Sequence, residues 1–171
     1  SGARFQPEGA NDIRFGLAGI KNIGEGAALA IVDEHRKGGA YKGLYDFCLR
    51  LDGQTVNKKV IESLVRCGAM DSFNMHRARL FKAIDRAMSR AASSARDRAA
   101  GQGNLFGLDM MPDSGSGEAD IPDSPPWPES ELLAAEKELT GMYMSGHPLT
   151  QYARILEQYR LTDVKGLGQI Q

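Results

Sequence analysis

The chain has 171 residues, a formal net charge of −1 and 42% hydrophobic residues. This length fits one domain with a linker or tail, and the near-neutral charge excludes a protein that attracts nucleic acid through a global positive field. No apolar run approaches the ~18 residues that a membrane-spanning helix needs, and the N-terminus lacks the basic and apolar regions of a secretion signal. We therefore expect a cytoplasmic protein with no membrane partner.

The N-terminal residues contribute little to a predicted core. Residues 1–12 are polar, and the start looks like a cut from a longer protein. Residues 13–17 read Ile-Arg-Phe-Gly-Leu, an alternation that predicts a short extended segment. One strand of this length cannot form a sheet alone.

The stretch 20–32 carries the pattern on which the functional prediction depends. It reads Ile-Lys-Asn-Ile-Gly-Glu-Gly-Ala-Ala-Leu-Ala-Ile-Val, so a turn with Asn22, Gly24 and Gly26 precedes an apolar helix from about Glu25 to His35. Backbone N–H groups at such a helix start, together with the helix dipole, suit a phosphate and ignore base sequence. The pattern resembles the helix-hairpin-helix motif of non-specific DNA-binding proteins, with Asn22 in place of the usual first glycine. An ordinary turn between packed helices is the alternative.

Further amphipathic helices follow this turn. Apolar residues at helical spacing predict helices over 44–51, over 57–67 with Asn57 as N-cap, and over 76–90. Gly68 lies in a second hairpin-like turn between the last two, which predicts a degenerate second copy of the motif. Two copies could grip both strands of a duplex.

The third of these helices is basic. From Met75 to Arg98 there are seven Lys or Arg residues and two Asp. Such a helix can reach phosphates by Coulomb attraction, and a solvated helix face is the alternative. The predicted DNA-binding residues are Lys21, Asn22, Ile23, Gly24, Gly26, Gly68, Arg77 and Arg79.

Residues 101–128 change composition, because Gly, Asp, Ser and Pro dominate them. A segment of this kind cannot bury enough apolar surface to offset its ordering entropy, which predicts a flexible linker. Within it, Leu105 and Phe106 form an apolar pair three residues after Gln102. These residues fit a docking peptide whose apolar pair fills a partner's pocket. The alternative is that the pair packs on the chain's own core.

Two more helices are predicted near the C-terminus, over 129–144 and 149–159. His147 precedes a proline between them and is expected to be a structural hydrogen-bonding residue. The cysteines, Cys48 and Cys67, are expected to be buried free thiols of a reducing compartment rather than a disulfide or a metal pair.

No catalytic constellation is recognisable. The sequence has no phosphate loop of the Walker or Rossmann type, no acidic cluster for two metal ions, no zinc spacing among its histidines and no nucleophile–base pair. We therefore expect no catalytic residues, no metal and no cofactor. The residues predict an α-helical binding module rather than an autonomous enzyme.

Several landmarks in order resemble the α subunits of bacterial DNA polymerase III, the C-family replicative polymerases. They are residues 13–26 (Ile-Arg-Phe-Gly-Leu-Ala-Gly-Ile-Lys-Asn-Ile-Gly-Glu-Gly), residues 45–48 (Tyr-Asp-Phe-Cys), residues 56–71 (Val-Asn-Lys-Lys-Val-Ile-Glu-Ser-Leu-Val-Arg-Cys-Gly-Ala-Met-Asp), and Trp127-Pro-Glu with residues 136–149 (Glu-Lys-Glu-Leu-Thr-Gly-Met-Tyr-Met-Ser-Gly-His-Pro-Leu). The resemblance runs from about residue 4 to 167.

The resemblance implies the tandem helix-hairpin-helix, or clamp-binding, domain that follows the palm, thumb and fingers and precedes an OB-fold domain. It implies double-stranded DNA, the β sliding clamp and other polymerase domains as partners. By position, the clamp-binding residues are Gln102, Leu105 and Phe106. Gly103 departs from the residues usually favoured at the second position of that peptide. The catalytic aspartates of the family lie outside this chain.

The combined expectation is an all-α fold in four parts. Residues 1–100 form the tandem helix-hairpin-helix domain, 101–128 the linker with the clamp-binding peptide, 129–165 C-terminal helices that pack on the domain, and 166–171 the start of a truncated following domain. The predicted function is a non-catalytic DNA- and clamp-binding module that supports processive replication. A helical scaffold that joins polymerase domains without touching DNA is the alternative, and a repair-nuclease fragment is disfavoured because no metal-ligand cluster is present.

Overall fold

A computed structural model describes residues 2–10, 12–99 and 123–158 of the chain. Within these ranges the structure is mainly helical, which confirms the all-α prediction. The α-helices are α1 (Glu25–Gly38), α2 (Leu44–Arg50), α3 (Lys58–Arg66), α4 (Arg77–Ala99), α5 (Glu129–Thr140) and α6 (Ala153–Gln158). Short 3₁₀ turns occupy Leu17–Gly19, Asp71–Phe73 and Thr150–Tyr152.

A small β-hairpin precedes the helices. Strand β1 (Gln6–Glu8) pairs antiparallel with β2 (Asp12–Arg14), and Arg14 forms an ion pair with Glu8 diagonally across the two strands. The sequence predicted the extended segment but not its partner strand. Three residues a strand bury almost no apolar surface, so the pairing depends on the turn and the ion pair rather than on a hydrophobic face.

The core lies where α2 and α3 pack against α4. The predicted apolar stripes point inward, so that the helical periodicity of this region is confirmed. The N-cap prediction is also confirmed, because the Asn57 side chain accepts a hydrogen bond of 3.2 Å from the Val60 N–H at the start of α3. The least exposed core side chains include Ile61, Val65, Leu80 and Ile84.

Helix ends differ from the predicted ends by several residues. Helix α4 extends past residue 90 to Ala99, which is one of the two outcomes that the Ala-rich sequence after residue 90 allows, since alanine favours a helix. Helix α5 stops at Thr140, four residues early, because Gly141 adopts a left-handed conformation (φ +80°) as its C-cap. The predicted helix over 149–159 is a 3₁₀ turn followed by α6.

Part of the predicted linker packs on the helical body. Ser124 is buried, and the Trp127 ring meets Phe81 of α4 edge-on, with 5.5 Å between centroids. The predicted clamp-binding residues Gln102, Leu105 and Phe106, and the predicted following domain at 166–171, lie outside the described residues. Across the described ranges, no helix combines the length and the apolar character needed to cross a membrane.

Candidate nucleic-acid interface

The first hairpin, defined here as residues 20–26, connects the 3₁₀ turn Leu17–Gly19 to α1. Asn22 holds a left-handed conformation (φ +71°), and its side-chain amide donates to Ser63 Oγ of α3 at 3.1 Å. Asn tolerates this conformation better than most residues, which explains why it can replace a glycine here. Ile23 is only 5% exposed. Its side chain therefore anchors the turn in the core, and the DNA contact predicted at Ile23 stays a prediction.

The backbone N–H groups of this hairpin divide into paired and open ones. Lys21 N–H donates to the Leu139 carbonyl of α5 at 2.8 Å, and Ile23 N–H donates to the Ile20 carbonyl at 3.1 Å. In the described part of the chain, no carbonyl accepts from the N–H groups of Asn22 and Gly24. The N–H groups of these two predicted DNA-binding residues are thus free to bind a ligand.

The start of α1 adds further open N–H groups. Its N-cap, Gly24, supplies no side-chain hydrogen bond, and the first turn of an α-helix has no intrahelical acceptors for its N–H groups. Gly24 and Gly26 are exposed, and a Cβ built on either would meet nothing within 4 Å. Hence a ligand can approach the backbone closely at the positive end of the helix dipole.

Acidic side chains flank this surface on two sides. Glu25 lies in the first turn of α1 and forms an ion pair with Arg4 at 2.5 Å. Lys21 pairs with Glu138 of α5 at 3.3 Å, and Arg66 of α3 meets the same carboxylate at 3.4 Å. The predicted residue Lys21 is therefore exposed within the first hairpin, but Glu138 partly neutralises its charge.

Lys59 is a basic residue that the sequence-based prediction missed. It is exposed, and it lies one helical turn before Ser63, the residue that holds the Asn22 side chain. The Ser63 hydroxyl donates to the Lys59 carbonyl at 2.9 Å. Lys59 has no ion-pair partner within residues 2–10, 12–99 and 123–158. Only the tertiary contact between the hairpin and α3 reveals this position, so no local sequence signal could have identified it.

The second predicted hairpin is closed to ligands. Gly68 has φ +83°, and its N–H donates to the Val65 carbonyl at 3.2 Å; Ala69 N–H donates to the Leu64 carbonyl at 2.9 Å. A Cβ at Gly68 would collide with the guanidinium of Arg77. The DNA contact predicted at Gly68 is therefore corrected, because its N–H donates to the protein's own carbonyl and the Arg77 guanidinium fills the space beside it.

Arg77 is also misassigned by the sequence. It is 8% exposed, and its guanidinium pairs with Asp71 at 2.7 Å and with Glu136 at 2.8 Å. Hydrogen bonds to Asp71 raise the pKa of Arg77, and Glu136 adds to this effect. A phosphate cannot reach a buried cation that two carboxylates already neutralise. The predicted DNA contact at Arg77 is therefore wrong.

Glu136 completes this buried cluster. Its carboxylate is fully buried and accepts hydrogen bonds from Met144 N–H (2.7 Å) and Ser145 N–H (2.9 Å) as well as from Arg77. Burial alone would raise the pKa of Glu136, but the hydrogen bonds from Ser145 and Arg77 outweigh it, and the net pKa lies below the ordinary value of 4.5. This acid therefore ties α5 and the loop after it to the start of α4.

The remaining candidate residues carry no chemistry of their own. Arg79 is half-buried, and its predicted phosphate contact stays a prediction. His147 Nδ1 accepts from Leu149 N–H at 3.2 Å, which confirms its structural role. Cys48 and Cys67 are free thiols, as predicted; Cys67 is buried, whereas Cys48 is half-buried, and desolvation raises the pKa of Cys48 to about 12. No group of three metal-binding side chains occurs in the described residues.

Comparison with known proteins agrees with this geometry. Residues 1–80 match a family described as "Helix-hairpin-helix motif". Over 91% of its length the chain is 37% identical to the DNA polymerase III subunit alpha of Vibrio cholerae serotype O1, 35% identical to that of Escherichia coli K12 and 42% identical to that of Neisseria meningitidis serogroup A. In each case it spans 13% of the relative's length. The chain thus belongs to the DNA polymerase III α-subunit family, in which it corresponds to one segment that contains a helix-hairpin-helix motif.

Proposed function

We propose that this segment binds duplex DNA through the backbone of the first hairpin and performs no chemistry itself. One observation carries the proposal: no carbonyl of the described residues accepts from the N–H groups of Asn22 and Gly24, next to the exposed start of α1. Such a surface suits a phosphate oxygen because N–H groups and the helix dipole both favour negative charge. The relatives' name, DNA polymerase III subunit alpha, supports DNA as the source of that phosphate.

The contact would be independent of base sequence. Phosphate contacts position a protein on DNA, whereas base edges carry the sequence information. The first hairpin offers backbone N–H groups, and Lys59 adds a point charge beside it. Binding should therefore depend strongly on salt and weakly on sequence.

One hairpin, rather than two, would grip the duplex. The N–H groups of Gly68 and Ala69 already donate to the protein's own carbonyls, so we expect a grip on one strand in place of the two-strand grip of tandem motifs. The second copy instead contributes α3, which holds the first hairpin through Ser63 and supplies Lys59.

We further propose that Gln102, Leu105 and Phe106 dock on the β sliding clamp. The support is the sequence alone: an apolar pair and an amide lie in a segment without Lys or Arg from residue 101 to residue 128. Docking on a ring around DNA would raise the effective concentration of the first hairpin near the duplex. This segment would then support processive replication by a polymerase whose catalytic residues and other domains lie outside it, without a cofactor of its own.

Gly26→Ala tests the hairpin assignment because its two expected effects have opposite signs. Alanine in a helix should raise the free energy of unfolding by roughly 0.5–1 kcal/mol. Its Cβ would stand on the surface where the phosphate approaches, so duplex affinity should fall roughly threefold to tenfold. Thermal unfolding and fluorescence anisotropy with a labelled duplex measure the two quantities.

Gly53→Ala is the matched control, because a Cβ there also meets open space and the residue lies outside the first hairpin. Duplex affinity should not change in this variant. Equal duplex affinity of wild type and Gly26→Ala would contradict the hairpin assignment and favour a helical scaffold that joins domains without touching DNA.

A further inference from the structure

Glu138 occupies an unusual place beside the first hairpin. It lies near the C-terminal end of α5, and its two carboxylate oxygens meet different cations: Oε1 faces Lys21 Nζ at 3.3 Å, and Oε2 faces Arg66 at 3.4 Å. Lys21 belongs to the hairpin and Arg66 to the last turn of α3. One carboxylate therefore joins a cation of the first hairpin to a cation of α3.

This carboxylate contributes little to the packing of α5. Its side chain is 50% exposed, and exposed ion pairs contribute at most about 1 kcal/mol to folding. The helix is instead held by buried Leu133 and Leu139, by the buried Arg77–Glu136 pair, and by the Lys21 N–H bond to the Leu139 carbonyl. A role in folding thus leaves the placement of Glu138 unexplained.

The carboxylate has the charge of the ligand that the hairpin is proposed to bind. Hydrogen bonding and attraction from Lys21, with attraction from Arg66, hold the pKa of Glu138 below its ordinary value, so it is ionised at neutral pH. A phosphate that uses Lys21 or Arg66 must displace this carboxylate. An anion that stays in place would also repel a phosphate at the neighbouring N–H groups.

We propose that Glu138 is an internal counterion that competes with a DNA phosphate for Lys21 and Arg66 and thereby limits the affinity of the first hairpin for duplex DNA. The inference rests on the proposed DNA-binding function. It assigns Lys21 and Arg66 a conditional role: they contact DNA only after their ion pairs with α5 open. A weak, rapidly reversible grip of this kind suits a surface that must move along a duplex, because the same exchange runs backwards when the phosphate leaves.

Glu138→Gln is the direct test, measured on the 171-residue chain with a labelled duplex over a range of salt concentrations. Glutamine keeps the size of the side chain and removes its charge. Duplex affinity at 0.05 M salt should rise roughly threefold to tenfold, and the slope of log K against log salt should steepen by about one to two, because two cations become available to phosphates. At high salt the difference from wild type should vanish.

Glu131→Gln is the matched control. Glu131 is exposed on α5 as well, and it lies two helical turns, about 10 Å, from Glu138. The substitution changes the net charge equally, so it reports any general electrostatic effect. It should alter duplex affinity less than twofold. Equal effects of Glu131→Gln and Glu138→Gln would overturn the proposal.

A double-mutant cycle tests the route of the effect. In a Lys21→Gln, Arg66→Gln background, Glu138→Gln should no longer strengthen binding, because no cation is left to release. A full effect in that background would overturn the counterion mechanism. If the wild type itself shows no salt-dependent duplex binding, the proposed function fails together with this inference. If the wild type binds and Glu138→Gln has no effect, only this inference fails.

Discussion

Replacing Arg77 by methionine should lower the free energy of unfolding by about 3–5 kcal/mol, the usual consequence of leaving one partner of a buried ion pair without the other. Methionine retains most of the apolar stem, so the loss of stability measures the contribution of the guanidinium group. Glu136 would keep its two backbone hydrogen bonds but lose its cation inside the protein, and Asp71 would lose its partner as well. Urea denaturation followed by far-ultraviolet circular dichroism measures the change.

Arg90→Met is the matched control on the same helix. Arg90 is exposed and stacks on the Tyr45 ring at 4.4 Å, a contact that contributes roughly 0.5–1 kcal/mol. The Arg77 substitution should therefore lower the free energy of unfolding several times more than the Arg90 substitution. Similar small losses in the two variants would show that the buried cluster is not a stabilising feature of this fold.

The acid dependence of stability provides a second readout of the same cluster. The folded-state pKa of Glu136 lies below the ordinary value of 4.5, so its stabilising contribution is fully present above that pH and disappears as the pH falls through the lower folded value. Without Arg77, burial would raise the pKa of Glu136. Protonation of Glu136 at low pH then removes an unpaired buried charge, so the difference in the free energy of unfolding between the wild type and Arg77→Met should shrink as the pH falls.

The double substitution Leu105→Ala, Phe106→Ala should abolish binding to a cognate sliding clamp, with a loss of about 100-fold or more. The estimate assumes two anchor residues that contribute at least about 2 kcal/mol each, with some non-additivity. We expect the helical fold to remain intact, which far-ultraviolet circular dichroism of the variant checks. Surface plasmon resonance on immobilised clamp measures the affinity.

Leu108→Ala, Met110→Ala is the control for this experiment, since it removes the same kind of apolar surface from the same segment outside the proposed peptide. It should retain most of the clamp affinity. Unchanged clamp affinity in the Leu105→Ala, Phe106→Ala variant would show that these residues are not part of the clamp interface. The DNA-binding proposal would be unaffected.

Local sequence patterns were sufficient to predict the features that neighbouring residues determine. The turn at Asn22 and Gly24, the Asn57 cap and the apolar stripes of α2 and α3 all depend on residues within a few positions of one another, and the structure agrees with each. The family resemblance also identified the helix-hairpin-helix motif that these elements form. Helix ends were less accurate, because Gly141 as a C-cap and the alanines of α4 compete with a simple periodicity.

The errors concern residues whose partners are distant in sequence. Arg77 looked like a phosphate ligand because its partner Glu136 is 59 residues away. The sequence did contain a signal for this pair, since Glu136 follows the apolar spacing of Leu132, Leu133 and Leu139, and an acid on a buried stripe requires a cation. Lys59 was missed for a similar reason: only the contact between Asn22 and Ser63, which are 41 residues apart, places it near the first hairpin.

Duplex binding by Lys59→Glu, compared with Lys37→Glu over a salt series, tests the central claim most directly. Lys37 is exposed near the end of α1, about 18 Å along the helix from the hairpin, and offers the same charge change. The wild type should bind unrelated duplex sequences equally, with an affinity that falls as salt rises. Lys59→Glu should weaken binding roughly tenfold and reduce the salt slope by about one, while Lys37→Glu leaves both nearly unchanged. Equal losses in the two variants, or binding insensitive to salt, would contradict a phosphate contact at the first hairpin.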